Sequence, residues 1–237
     1  MIHKLFLFNQ NYSSWSLRPL ILVRKLGLPV TISFFNLGDP ILAAEGKKHS
    51  TTGFLPALNV DNKYTVTDSL AIAETLAELF PEKGIWPARF EQRAKARSVA
   101  AEMHSGFSDL RHAMTCNLRS RYPSQIWPAA VTSDIHRILT IWENARKDVG
   151  ASNTHDDDGW LFGRFSAADA MYFPVVTRFL TYAVKIDSTE FPLAKIYVDR
   201  VLSDNTVREI YKKAEGEDWA IEKYENVYPG KTVERLR

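Results

Sequence analysis

The hydrophobic period of the chain changes once, across the stretch Pro81 to Pro87, and does not change back. Before it, short β-branched and aromatic runs alternate with stretches at helical spacing; after it, helical spacing alone recurs, in long stretches of good helix formers. A two-residue period and a 3.6-residue period bury different surfaces, so the two parts call for layers of different make. The stretch itself carries two prolines and a glycine and reads as a linker. The expected division is therefore residues 1–80 and residues 88–225, and 237 residues with 45% hydrophobic content suffice for two cores of ordinary size.

In the first part, Lys4 to Phe8 is short, apolar and aromatic and runs into the polar Asn9-Gln10-Asn11-Tyr12-Ser13-Ser14, as a strand ending in a turn does. Pro19, Leu22, Val23 and Leu26 then fall at helical spacing, and a proline suits the first turn, so a helix is expected to start near Ser14 to Ser16. Gly27-Leu28-Pro29 breaks it, and Val30 to Phe35 reads as a second strand. Asp39 to Gly53 is irregular, with a short helix at Ile41 to Glu45. Ala57 to Val60 and Tyr64 to Val66 flank Asp61-Asn62-Lys63 as a hairpin, and Ser69 to Leu79 is helical in spacing. The order β-α-β, loop, β-β-α describes a thioredoxin-like layer.

The second part predicts helices over Arg89 to Arg121, Gln125 to Val149, Ser166 to Val184, and two shorter ones within Glu190 to Ala214. Gly150 to Gly159 reads as an exposed loop, and Glu215 to Arg237 as a loosely packed tail. The expected class is α/β plus all-α, an N-terminal thioredoxin-like domain followed by a C-terminal helical bundle.

Thirty basic residues against 28 acidic give a net charge of +2, too balanced for a grip on nucleic acid or on an anionic membrane. Cys116 is the only cysteine, which rules out an intrachain disulfide, a thiolate metal site and a C-x-x-C redox pair. No metal is expected, and a reducing cytoplasm is the natural home. The first residues lack the apolar core of a signal peptide, and nothing reaches the roughly 18 apolar residues of a membrane span. A small-molecule site is what remains to look for.

The segment Tyr12-Ser13-Ser14-Trp15-Ser16-Leu17-Arg18 sets hydroxyls where a strand hands over to a helix. A helix N-terminus has unpaired N–H groups and about half a positive charge, so it stabilises an anion such as a thiolate. The same serines also serve as plain N-caps. Leu55-Pro56-Ala57 precedes a strand where proline cannot donate to the ladder, and a cis bond there would turn the Leu55 backbone towards an open edge. Asp68-Ser69 is by itself a good helix cap.

Taken together, Tyr-Ser-Ser-x-Ser-x-Arg after a strand, Leu-Pro-Ala-Leu, and Thr-Asp-Ser-Leu-Ala-Ile opening a helix resemble the glutathione-binding domain of the glutathione S-transferases. The resemblance implies that Leu55 and Pro56 meet the cysteinyl part of glutathione and that Asp68 and Ser69 hold its γ-glutamyl end. It implies Ser13 as the hydroxyl facing the thiol, as in the zeta class, with Ser14 in reserve and Tyr12 a rival. Phe54 stands where the family often has a polar contact, and the glycyl carboxylate is expected near Lys47, Lys48 or His49. Ser166 and Asp169 resemble the capping box of the family's helical domain, a structural pair, with Pro174 inside the helix that follows.

For the second substrate, His104, Phe107 and Arg111 are expected on one face of the Arg89 to Arg121 helix, lining a pocket between the domains or a dimer contact. Glutathione is thus the implied co-substrate, with a small electrophile, apolar or aromatic, as second partner and a homodimer as the assembly. Two alternatives stand beside conjugation. One is cis-trans isomerisation like that of the zeta-class maleylacetoacetate isomerases, although their arginine falls at Thr181 here, three residues beyond Arg178. The other is a binding module without catalysis.

Overall fold

The protein is described by a computed structural model covering residues 2–151 and 156–233. Strand β1 (His3–Phe8) leads to helix α1 (Ser14–Leu26), which returns the chain to β2 (Val30–Phe35), parallel to β1 with Leu5 opposite Ile32. Helix α2 (Pro40–Lys47) follows, capped by Asp39, whose carboxylate accepts from Ile41 N at 2.8 Å and Leu42 N at 3.0 Å. β3 (Ala57–Val60) and β4 (Tyr64–Thr67) form the hairpin, and α3 (Ser69–Leu79) closes the unit. The sheet order is β2-β1-β3-β4, with β3 antiparallel to both of its neighbours.

Helix α1 ends cleanly because Gly27 adopts φ 58°, a conformation costly to a side chain. It starts at Ser14, within the expected range, but Pro19 then lies beyond the first turn that suits a proline and leaves the Trp15 carbonyl without its usual donor four residues on. Leu17, Leu20, Ile21 and Leu22 are all at most 1% exposed, because α1 packs against α3 on one side and the helical layer on the other. The helix that opens the site is therefore shared by both layers.

The linker is anchored rather than loose: Pro81–Lys83 forms a 3-10 turn, and the Ile85 carbonyl accepts from Ala167 N at 2.8 Å. Beyond it come α4 (Phe90–Ser105), α5 (Ser108–Ala113), a two-residue strand β5 (Ser120–Arg121), α6 (Ala129–Ala151), α7 (Ala167–Thr181), α8 (Pro192–Leu202), α9 (Asn205–Glu215), the short α10 (Glu222–Glu225) and β6 (Thr232–Val233). The single helix expected over Arg89 to Arg121 is thus two helices broken at Gly106-Phe107. A Cβ at Gly106 would come within 2.8 Å of the Glu102 carbonyl, and Phe107 takes φ 57°. Asp169 is 1% exposed and caps the turn before α7, accepting from Leu161 N and Ser166 N, both at 2.9 Å. Burial pushes its carboxyl up to about 6 despite those bonds, as fits a structural pair in the core.

Two further readings are corrected. Gly150 and Ala151 belong to α6, while residues 152–155 of the expected loop lie outside the described residues. The tail after Glu215 is packed as far as it is described: Glu217 accepts from the backbone N–H groups of Gln10 and Asn11 at 2.7 and 3.1 Å, and β6 pairs with β5, while residues 234–237 of the expected tail lie outside the described residues. Glu225 accepts from Tyr12, from Arg119 at 2.9 Å and from Lys231 at 2.8 Å. Burial alone would raise the Glu225 carboxyl, but those three donors outweigh it and hold it at about 2. The lone thiol, Cys116, is buried with Sγ 3.6 Å from the Asn11 carbonyl, and desolvation pushes its pKa up to about 11.

Candidate functional site

A cleft of about 490 Å³ is lined by Trp15, Thr52, Phe54, Leu55, Pro56, Thr67, Asp68 and Ser69. It joins three segments that the sequence holds far apart: the first turn of α1, the approach to β3, and the N-terminus of α3. The Leu55-Pro56 bond is cis, and the Leu55 backbone N–H and C=O make no hydrogen bond among the described residues. Asp68 caps α3, its Oδ1 accepting from Leu70 N at 2.8 Å and Ala71 N at 3.2 Å. Its partly exposed carboxyl is raised by burial, but the bonds from His104, Ala71 and Leu70 outweigh that, and the net direction is down.

Ser69 is 2% exposed, and its Oγ accepts from Arg18 Nη1 at 3.2 Å. A hydroxyl that accepts from a guanidinium keeps its own proton for another acceptor. Arg18 is itself buried, with Cζ 4.1 Å from the Trp15 ring centroid and Nε without a partner among the described residues. Desolvation, then the cations Arg178 and Arg111, push its pKa down to about 9, so it stays charged at neutral pH. Trp15 carries this arrangement between the cleft and the interior, and the sequence reading passed it over. The signal was present, since Trp15 and Arg18 stand three apart and share a helix face.

The two serines differ. Ser13 is the N-cap of α1: its hydroxyl donates to Ser16 Oγ at 2.9 Å and accepts from Ser16 N at 3.4 Å, while Ser16 Oγ also takes Phe8 N–H at 3.0 Å. Ser14 is half-buried, and its hydroxyl makes no hydrogen bond among the described residues. Neither is among the residues lining the cleft, although both adjoin Trp15, which is. Tyr12 is turned the other way, bonded to Glu225 and Arg119, with its pKa pushed up to about 12 by burial and by Glu225.

Lys48 departs from expectation: it extends from the end of α2, pairs with Glu45 at 2.6 Å, is 71% exposed and does not line the cleft. His49 stacks on Phe6 with ring centroids 4.0 Å apart. The break between α4 and α5 separates the trio expected on one helix face. His104 meets Asp68, Nε2 to Oδ2 at 2.5 Å; Arg111 lies 5.5 Å from the Trp15 ring centroid; Phe107 is 7% exposed in the core. Arg178 and Thr181 are buried and donate to backbone carbonyls, Met114 and Pro174 for the one and Asn117 for the other. A roomier cleft of about 590 Å³ between α7, α8 and the β5–β6 ribbon holds none of the expected site residues. Among the described residues no group of three or more His, Cys, Asp or Glu could hold a metal ion, and no helix is long and apolar enough to cross a membrane.

The family model for the glutathione S-transferase N-terminal domain matches residues 12–79, and that for the C-terminal domain matches residues 125–200. The chain belongs to the glutathione S-transferase family. Among curated relatives, glutathione S-transferase GstA of Escherichia coli O157:H7 is 28% identical over 156 residues. That match spans 63% of this chain and 66% of the relative's own length. Among solved structures, a glutathione transferase homologue from Burkholderia gl BGR1 with bound glutathione superimposes with a TM-score of 0.64 at 21% identity, over 92% of this chain and 100% of that one. A glutathione transferase from Methylococcus capsulatus strain Bath gives 0.62 at 22%, over 90% and 99%. At such identities the structures establish the transferase fold, and the thioredoxin-like unit followed by a helical unit is that fold.

Proposed function

We propose that this family member is a glutathione transferase that lays the tripeptide along the Leu55-Pro56 edge and presents its sulfur to the N-terminus of α1. One observation carries the reading: Leu55-Pro56, Asp68-Ser69 and the first turn of α1 line a single cleft, with Leu55's backbone groups unpaired among the described residues and Ser69 Oγ accepting from Arg18. Leu55 N–H and C=O pair with the cysteinyl backbone as an added strand does. Asp68 takes the γ-glutamyl ammonium, and the Ser69 hydroxyl, already accepting from Arg18, donates to the γ-glutamyl carboxylate.

A free thiol of this kind has a pKa near 8.5, and each unit of lowering is worth about 1.4 kcal/mol. The positive end of α1, which has no acidic residue in its first turn, favours the thiolate. A serine hydroxyl donating to sulfur adds to it. Ser13 serves if its proton turns from Ser16 Oγ to the sulfur; Ser14 serves with a hydroxyl that has no competing partner among the described residues. The thiolate then attacks an electrophilic carbon of a small apolar or aromatic substrate, with orientation and anion stabilisation lowering the barrier. The reading includes a homodimer working in a reducing cytoplasm.

The test is turnover of a generic aryl halide by Ser13→Ala and Ser14→Ala, with retention on immobilised glutathione scored beside it. Removal of the activating hydroxyl lowers kcat by roughly 10²-fold, the scale of losing one oriented donor, with glutathione affinity within a few fold. Retention with no turnover by the parent chain would make it a binding module, and failure of retention would end the reading. Conversion of a maleyl substrate in place of the aryl halide would assign isomerisation instead.

A further inference from the structure

Four contacts through three side chains link Asp68 back to its own neighbour, Ser69. Asp68 Oδ2 meets His104 Nε2 at 2.5 Å; the His104 ring stands edge-on to Trp15 at 5.5 Å and 75°; Arg18 lies on Trp15 at 4.1 Å and donates to Ser69 Oγ at 3.2 Å. The loop starts and ends on the two residues at the head of α3. Its one member from the helical layer is His104, in the last turn of α4.

An ionised carboxylate only accepts hydrogen bonds, so Nε2 of His104 carries the proton that the two atoms share. Asp68 Oδ1 is occupied by two backbone N–H groups, while Oδ2 has His104 as its protein donor. A carboxylate oxygen accepts more than one bond, and the Asp68 side chain is 41% exposed, so Oδ2 keeps room for a cation arriving from the cleft. With both oxygens anchored, the carboxylate plane is set before such a cation arrives, and a preset acceptor binds more tightly than one ordered on binding.

We propose that His104 is a positioning residue that fixes the Asp68 carboxylate to receive the free α-amino group of glutathione's γ-glutamyl end. The proposal rests on the glutathione reading above. It moves His104 from the second-substrate wall to the recognition of the first substrate, and it makes the helical layer a contributor to a site otherwise built from α1, β3, β4 and α3.

The test compares two thiols on the full chain: glutathione, and the analogue in which the α-amino group is replaced by hydrogen. KM and kcat with an aryl halide, and binding by calorimetry, are measured for the parent, His104→Ala and His104→Asn. Losing one hydrogen bond to a charged group raises the glutathione KM of His104→Ala roughly tenfold, with kcat within about twofold. The analogue's KM changes by less than about twofold, because it has no ammonium for Asp68 to hold. His104→Asn retains an N–H donor and returns the glutathione KM to within about threefold of the parent. Equal losses for the two thiols in either variant would mark His104 as merely structural and overturn the proposal. A parent chain that binds neither thiol overturns the glutathione reading itself, so the two failures are told apart.

Discussion

Replacing Glu225 by glutamine tests the latch that the C-terminal segment makes on the turn before Ser13. The carboxyl is only 14% exposed and bonds to Tyr12, Arg119 and Lys231, so solvent screens it little. Holding it at about 2 against an ordinary 4.5 corresponds to about 3 kcal/mol in favour of the folded state. A lowered carboxyl contributes above its unfolded value, so the full amount is present above pH 4.5 and is lost as pH falls through about 2. Glutamine keeps an acceptor oxygen but not the charge. For a chain of this length about 3 kcal/mol equals a fall of roughly 6 to 12 °C in Tm, an upper figure, since a strap can open without the rest. The assay is thermal melting by circular dichroism at pH 7 and at steps down to pH 3. Parent and Glu225→Gln should differ at pH 7 and converge on acidification. Equal melting at neutral pH, or a gap that persists undiminished at pH 3, would refute the reasoning.

Two other outcomes are expected. Lys48→Ala should leave the glutathione KM within about twofold, because an exposed pair such as Lys48–Glu45 contributes little and lies off the cleft; a tenfold rise would return the glycyl contact to Lys48. Leu17→Ala removes a side chain with no exposed surface from α1 and should cost about 3 kcal/mol in denaturant melts, whereas a loss under about 1 kcal/mol would mean that α1 is not held by the two layers as described.

Much of the fold was legible because its signals are local. The strands around Leu5 and Ile32, the Asp61-Asn62 turn and the Ser166–Asp169 cap each depend on residues close in sequence. The convergence of Leu55-Pro56, Asp68-Ser69 and α1 was legible only through family resemblance, since no local rule joins positions so far apart. What escaped has a physical reason in each case. The kink at Gly106-Phe107 comes from a backbone conformation that helix propensity does not encode. The tail looked loose because its anchors, Gln10, Asn11 and Tyr12, lie more than 200 residues away, beyond any periodicity. That Lys48 meets Glu45 and His104 meets Asp68 was not legible, because a charge near a cleft says nothing of where its side chain finds a partner.

The shielding of Cys116 has a consequence for the molecule's life among thiols. Disulfide exchange begins with a thiolate, and this sulfur is both buried and favoured in its protonated form. In an oxidising glutathione buffer, the native chain therefore offers no accessible sulfur for mixed-disulfide capture or for cross-linking to a second copy. Its own redox state stays constant while that of its proposed substrate swings.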